Sequence, residues 1–246
     1  MKLFLAFLLI ANTAWASTLK EVPGGRYRPL LGKGKKVKVT KYYISETPVT
    51  NAEYLDFVKA HSEWRKSTAK KLFVDTQYLN QWEADLELGE KVQSKAPVTH
   101  VSWFAAQAYC ESLGLNLPTI DQWEYIAKFG PENQKNDTKT VILEWYSKPT
   151  PELVPEVKST FKNQYGVWDV HGLIWEWSLD FNTTFVTGES RGDSSLEKAM
   201  FCGSGAVGSA DPSDYAAFMR FGFRSSLKAN YTLANLGFRC AKGGPL

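Results

Sequence analysis

Residues 163–177, Asn-Gln-Tyr-Gly-Val-Trp-Asp-Val-His-Gly-Leu-Ile-Trp-Glu-Trp, are too rich in aromatic rings for a surface loop and too interrupted by glycine for a helix. Gly166 and Gly172 indicate turns or points where another backbone approaches closely. The large apolar anchors of this stretch are Tyr165, Trp168, Trp175 and Trp177. Asp169 and Glu176 lie in the same apolar segment, where a carboxylate is costly unless another group compensates its charge.

Two interpretations of this acidic pair remain open on the local pattern. A hard cation such as calcium, held by carboxylate and backbone carbonyl oxygens, would compensate both acids. Alternatively, the acids cap a helix or form salt bridges. The residues of the stretch do not decide between a metal site and these structural roles.

The first residues of the chain have the pattern of a secretory signal peptide. Lys2 supplies a positive charge, residues 3–11 are apolar, and Ala-Trp-Ala at 14–16 is a small-x-small cleavage site. We therefore expect a signal peptide at 1–16, a mature domain at 17–246, and a secreted or periplasmic location. The remainder has no other run of about 18 apolar residues, so no membrane span is expected after cleavage.

The composition of the chain favours one large domain. The sequence has 246 residues, 14% of them aromatic, with nine tryptophans and a net charge of only +3. Because no long basic block is present, a nucleic-acid partner is not expected. No internal repeat or linker is visible, and helices are few for this length. The pattern predicts a single loop-rich α+β domain.

Helix-capping residues predict three helices, and a further helical turn is predicted at 214–219. The three helices begin after Thr50 or Asn51, after Ser102, and after Thr119, whose capping-box partner is Gln122. Short strands are predicted at 26–28, 35–45, 97–101, 141–146, 220–226 and 236–241. Residues 62–95 are polar and weakly periodic, which predicts an irregular insertion carrying the aromatic residues Trp64, Phe73, Tyr78 and Trp82.

Three cysteines are present, which in an exported chain makes one disulfide plausible and leaves one thiol over. Their positions alone do not say which of Cys110, Cys202 and Cys240 is left over.

Five blocks, in order along the chain, resemble the formylglycine-generating enzyme family, the sulfatase-modifying factors. They are Val-Pro-Gly-Gly at 22–25, Pro-Val-Thr-Asn-Ala-Glu-Tyr at 48–54, the segment from Pro97 to Tyr125, residues 166–177, and Asn-Leu-Gly-Phe-Arg-Cys at 235–240. The resemblance covers nearly the whole mature chain. It implies the compact variant of the C-type lectin fold that this family adopts, but it does not guarantee the family's chemistry.

The resemblance also implies particular covalent and metal sites. It implies a disulfide between Cys110 and Cys240, which leaves Cys202 as the free thiol, either a buried small residue or a weak catalytic candidate. It implies a calcium site formed by the side chains of Asp169 and Glu176 and the backbone carbonyls of Gly172 and Ile174.

Active family members oxidise a sulfatase cysteine by means of copper bound to two cysteines. Those cysteines align near Asp211 and Ala216 of this chain, and neither residue is a cysteine. Because Cu(I) requires a thiolate pair, copper and the classical oxidation are not expected here.

Three functions therefore compete. The first is an exported maturation or accessory factor for another exported protein or its cofactor, and the fold's relatives include proteins tied to nitrite-reductase gene clusters. The second is a non-catalytic, lectin-like module that binds peptide or glycan. The third is a divergent oxidase that uses Cys202. The oligomeric state is left open.

A partner surface is also expected, because the family's substrate groove lies against the corresponding segments. The residues of this expected surface, beside Trp175 and Glu176, are Ser204, Asp214, Tyr215, Arg220 and Arg224. The alternative interpretation is that Arg224 and Arg239 are structural and pair with acids such as Asp180 or Glu124.

Overall fold

The computed structural model describes residues 18–29, 36–132, 142–145, 147–149, 151–182 and 212–243, with side chains in the last range from residue 216 onward. The predicted signal peptide lies outside these residues and stays a prediction. A three-stranded sheet joins the first and the last described segments of the chain. Its antiparallel strands are β1 (Leu19–Val22), β4 (Tyr42–Ser45) and β7 (Ala241–Lys242), with β4 in the middle.

Two smaller pairs of strands complete the described sheet structure. Strands β2 (Gly25–Tyr27) and β3 (Val37–Val39) are antiparallel and confirm the strands predicted near 26–28 and 35–45. Strands β5 (Trp175–Glu176) and β6 (Leu236–Gly237) are parallel, with Trp175 opposite Leu236. The predicted strand at 236–241 is therefore two short strands, β6 and β7, which pair with different neighbours.

Helices α1 (Asn51–Ala60), α2 (Trp103–Ser112) and α3 (Ile120–Ala127) begin at the predicted caps. The Thr50 side chain accepts a hydrogen bond from the Glu53 backbone N–H, and the Glu53 side chain accepts one from the Thr50 N–H. Thr119 and Gln122 form the same reciprocal arrangement, and Ser102 caps α2. These bonds satisfy orphan N–H groups of the first turns, so local sequence alone places the three starts.

Three strand predictions were wrong. Residues 220–226 do not form a strand, because helix α4 (Pro212–Ser225) runs through them and extends the helical turn predicted at 214–219. Residues 142–145 form a helical turn instead of the strand predicted at 141–146. Residues 97–101 contribute one isolated bridge, between Pro97 and Thr50. Short apolar runs fit either a strand or a buried helix, so their periodicity does not distinguish the two.

The described core has two apolar clusters. One surrounds α1 and α2, and the predicted irregular insertion contributes buried Tyr78 and Trp82 to it. The other surrounds β4 and α3. Residues 163–177 contribute to both clusters, because Trp177 belongs to the first and Val167 and Val170 to the second. This shared position explains why the aromatic stretch is so apolar.

A disulfide joins Cys110 on α2 to Cys240 beside β7, the pair that the resemblance implies, across a sequence separation of 130 residues. None of the helices within the described ranges has the length and apolar character needed to cross a membrane.

Candidate functional site

The acid Glu124 on α3 holds two arginines that lie four residues apart on α4. Arg220 binds this carboxylate in a bidentate manner, with Nε donating to Glu124 Oε1 at 3.0 Å and Nη2 donating to Oε2 at 2.7 Å. The Nη1 atom of Arg224 donates to Oε1 at 2.6 Å. Both guanidinium groups are largely buried, so these bonds fix α4 against α3.

The two arginines keep the Glu124 carboxylate ionised inside the protein. Burial alone would raise the pKa of Glu124, but the Arg220 and Arg224 guanidinium groups overcome that effect and lower it from 4.5 to about 2. The Trp123 ring lies beside both cations, with its centroid 5.6 Å from Cζ of Arg220 and 4.9 Å from Cζ of Arg224. Glu124 is therefore ionised across the physiological range.

A second ion pair is connected to the first through the same tryptophan. Arg239 donates to Glu176 from Nε at 2.8 Å and from Nη2 at 2.7 Å, and both side chains are fully buried. Trp123 Nε1 also donates to Glu176 Oε2 at 2.8 Å. The remaining Arg239 donors bind the carbonyl oxygens of Ser45 and Trp168. Arg239 thus ties residues 235–242, the closing segment, to β4 and to the aromatic stretch at 163–177.

Asp169, the other acid of the aromatic stretch, faces a neighbouring loop. Its Oδ1 accepts hydrogen bonds from the Thr160 backbone N–H at 2.9 Å and from Thr160 Oγ1 at 2.9 Å, and its Oδ2 accepts one from the Lys158 N–H. The residue is fully buried and has a left-handed φ of 57°. An aspartate tolerates this backbone better than most residues do, and its side chain holds residues 158–160 in place.

His171 packs beside the ion pairs as a neutral ring. Its Nε2 is 2.7 Å from the Ala127 carbonyl oxygen, and its ring meets the Trp123 ring edge-on at 5.8 Å. Burial, with a further contribution from the positive charge of Arg220, lowers its pKa to about 3. The imidazole is therefore neutral near pH 7, so an imidazolium is not available there to donate a proton.

The two carboxylates that are expected to bind calcium already accept several hydrogen bonds from the protein. Asp169 accepts three hydrogen bonds and Glu176 also accepts three, so each carboxylate keeps about one of its four lone-pair sites. Within the described ranges, no group of three His, Cys, Asp or Glu side chains could hold a metal ion. A calcium ion would need these last two sites together with the Gly172 and Ile174 carbonyl oxygens. Calcium binding stays a prediction.

Calcium binding would raise the melting temperature of the wild-type protein relative to its value in chelator. An ion that binds only the folded state stabilises by about 2.7 kcal/mol at 100 times its dissociation constant. Asp169→Asn should abolish this calcium-dependent shift, whereas Asp56→Asn, in an exposed ion pair with Lys59, should retain it. Differential scanning calorimetry in calcium and in chelator measures both shifts. A wild-type melting temperature that is equal in the two buffers would exclude the site.

The expected partner surface is only partly described. Arg220 and Arg224 lie side by side, but both form ion pairs with Glu124 inside the protein. This pairing agrees with the alternative interpretation, in which Arg224 is structural. Arg239 is also structural, although its partner is Glu176 instead of Asp180 or Glu124. Four of the predicted side chains lie outside the described residues. They are the Cys202 thiol and the surface residues Ser204, Asp214 and Tyr215. Partner binding at this surface stays a prediction.

Sequence reasoning missed the role of Trp123 as the link between the two ion pairs. Its indole N–H binds Glu176 while its ring lies beside Arg220 and Arg224. A signal was present in the sequence, because two arginines spaced by four residues lie on one face of a helix. The neighbouring Trp123-Glu124 pair offers both a ring and a carboxylate to such a face.

Comparison with known proteins agrees with this arrangement of elements. The sequence profile of the sulfatase-modifying factor enzyme 1-like domain matches residues 20–243. The chain is 29% identical to the formylglycine-generating enzyme of Streptomyces coelicolor, over 85% of this chain and 81% of that protein. It is 25% identical to the inactive C-alpha-formylglycine-generating enzyme 2 of Bos taurus, over 91% of this chain and 87% of that protein. The structure of PvdO from Pseudomonas aeruginosa superposes with a TM-score of 0.53 at 16% identity, covering 91% of this chain and 93% of that one, which shows a shared fold.

Proposed function

Since the chain belongs to the sulfatase-modifying factor enzyme 1-like family, we propose that it acts on another exported protein, or on that protein's cofactor, as a maturation or accessory factor. In this proposal it does not perform the copper-dependent oxidation of cysteine to formylglycine. The bovine relative whose name marks it as inactive offers a precedent for loss of that reaction within the family.

The number of available thiols carries the part of the proposal that denies the copper-dependent oxidation. The sequence contains three cysteines, and the disulfide uses Cys110 and Cys240, so Cys202 is the one thiol left. A Cu(I) site made of two thiolates therefore cannot be assembled within one chain. At one of the two positions that align with the copper ligands, Ala216 presents a buried methyl group within α4.

Sequence similarity alone does not separate an active from an inactive protein here. The relative named as active is 29% identical and the relative named as inactive is 25% identical, which are comparable distances. The thiol count supplies the discriminating argument, because it concerns the ligands that the reaction requires.

The purified protein should neither bind copper stoichiometrically nor produce formylglycine. A peptide carrying a sulfatase cysteine motif would be incubated with the protein, Cu(I) and oxygen, with the Streptomyces coelicolor enzyme as the positive control. Aldehyde is detected by a hydrazide probe and mass spectrometry, and copper by elemental analysis. We expect aldehyde at the level of the enzyme-free blank. Aldehyde formation that disappears in Cys202→Ser would instead establish a divergent oxidase.

The accessory role and a purely binding role differ in what they do to the partner. Intact-mass and cofactor analysis of exported proteins would compare a strain lacking the gene with the same strain after complementation. An accessory factor predicts at least one exported protein whose mass or cofactor content changes and is restored. If every exported protein is unchanged, the lectin-like binding module becomes the better explanation.

A further inference from the structure

A short turn at residues 70–73 carries the most exposed large apolar side chain among the described residues. Leu72 is 75% exposed, compared with 48% for Leu153, which comes next. The Lys70 carbonyl oxygen closes the turn by accepting from the N–H of Phe73 at 2.8 Å and from the N–H of Val74 at 3.2 Å. A lone exposed leucine is ordinary on a protein surface, so its surroundings decide whether it has a role.

The residues that follow the tip fix the turn to the domain. Val74 is buried in the cluster around α1 and α2, and Phe73 packs against the same cluster. The carboxylate of Asp75 accepts a hydrogen bond from the Thr232 backbone N–H at 3.0 Å. Leu72 is therefore an exposed side chain on an anchored base, which holds it in position at the surface.

A row of aromatic rings lies beside the turn. The centroid of the Phe73 ring is 6.1 Å from that of Trp64 and 5.1 Å from that of Phe104, and the Phe104 ring is 5.4 Å from the Trp103 ring. All four side chains are partly exposed. Leu72 directly precedes Phe73, so the apolar tip adjoins this row. Tryptophan and other large aromatic side chains that are partly buried and partly wet suit the interface between a bilayer and water.

The turn also carries positive charge. Residues 63–75 contain four basic and two acidic side chains, a net charge of +2. Lys70 and Lys71 are exposed, and no described acid forms an ion pair with either of them. Three nearby acids bind other groups of the protein instead. They are Glu63, Asp75 and Asp85.

We propose that this turn docks the protein on an anionic lipid surface, with Leu72 entering the interfacial layer and Lys70 and Lys71 contacting lipid phosphate groups. The long lysine stems follow the apolar layer while their ammonium groups stay in water, attracted by the surface charge. A protein partner would need a pocket matched to Leu72, whereas a bilayer accepts an apolar side chain at any point. The proposal goes beyond the accessory role and does not depend on it.

The probes are vesicles of phosphatidylcholine mixed with anionic phosphatidylglycerol, and vesicles of phosphatidylcholine alone. The exported protein, with its N-terminus determined by mass spectrometry, should co-sediment with the mixed vesicles, and less so as salt is added. Neutral vesicles should bind it about tenfold more weakly or less, because they lack the attraction for both lysines. Spin-labelled lipid in the mixed vesicles should broaden the amide resonances of residues 70–73 in ¹⁵N-labelled protein.

The lysine variants test the electrostatic part of the proposal. Lys70→Gln combined with Lys71→Gln should weaken binding to the mixed vesicles by about tenfold or more, since one basic residue near an anionic surface contributes a factor of about five. The control combines Lys95→Gln with Lys242→Gln, which changes the net charge equally at two exposed positions elsewhere. It should bind as wild type does to within about twofold, because charges beyond a Debye length are largely screened.

The leucine variants test the apolar part. Leu72→Ser should weaken binding by about fivefold or more, because it removes the side chain that leaves water. Leu72→Trp should retain or strengthen binding, because tryptophan favours the bilayer interface. Leu153→Ser changes the second most exposed leucine and should bind as wild type does. All of these side chains are exposed, so each variant should keep the wild-type melting temperature.

Three results would overturn the proposal. They are an absence of binding to the mixed vesicles, broadening confined to residues outside the turn, and binding by the turn variants equal to that of their controls. Poly-glutamate serves as a further probe for an acidic protein partner. If it binds and the vesicles do not, and if the double lysine variant loses that binding, the turn recognises a protein and the lipid proposal fails.

Discussion

Glu124→Gln is expected to lower the free energy of unfolding by about 3–5 kcal/mol, the range for removing one partner of a buried ion pair. The substitution leaves Arg220 and Arg224 buried beside a neutral amide in place of the carboxylate they share. Urea denaturation at neutral pH measures the loss. Glu132→Gln, which removes an exposed pair with Lys162, should cost less than about 1 kcal/mol. Equal costs for the two variants would contradict a structural role for the buried cluster.

The same residue predicts a dependence of stability on pH. Because the folded protein lowers the pKa of Glu124 from 4.5 to about 2, the stabilisation is complete above about pH 4.5 and is lost as the pH falls through about 2. The stability difference between wild type and Glu124→Gln should therefore shrink across that acid range. A difference that stays constant down to pH 2 would show that ionisation of Glu124 is not its source.

Removal of the disulfide should have an effect of similar size. On the chain-entropy model, a cross-link that closes a loop of about 130 residues stabilises by roughly 4–5 kcal/mol. The double variant Cys110→Ala, Cys240→Ala should lose this amount without creating new free thiols. Urea denaturation without reductant compares it with wild type and with Cys202→Ser, which should remain close to wild type.

Thiol counting provides an independent check of the pairing. Denatured wild-type protein should release one reactive thiol without reductant and three after reduction. The single thiol should disappear in Cys202→Ser. Three thiols without reductant, or peptide mapping that links Cys202 to either partner, would contradict the disulfide. Either result would also remove the thiol-count argument against a copper site.

The parts of the fold that depend on local chemistry could be predicted from the sequence. Caps at Thr50, Ser102 and Thr119 use side chains within three residues of the groups they satisfy, so a short pattern contains the necessary information. Helix α4 was misread beyond residue 219 because its apolar and aromatic residues also fit a strand. The contacts that favour the helix are with Glu124, about a hundred residues earlier in the chain.

The candidate site shows the same limit more strongly. The sequence indicated that Asp169 and Glu176 need compensation, but it left a metal ion and protein donors as alternatives. In the structure, Glu176 meets Arg239, which is 63 residues away, and Asp169 meets the backbone of residues 158–160. Such long-range partners follow from how the segments pack, which one sequence does not specify.

The pairing of the closing segment with early parts of the chain has a consequence for the order of folding. Ala241 pairs with Ile44 in the central sheet, Leu236 pairs with Trp175, and Arg239 reaches the Ser45 carbonyl oxygen. The three-stranded sheet therefore stays incomplete, and Glu176 lacks its partner Arg239, until residues 236–242 are available to pair. Contacts this distant in sequence make folding slow, on the order of milliseconds to seconds for comparable topologies. The nascent chain thus stays unfinished, with apolar surface available to chaperones, until its last strand arrives.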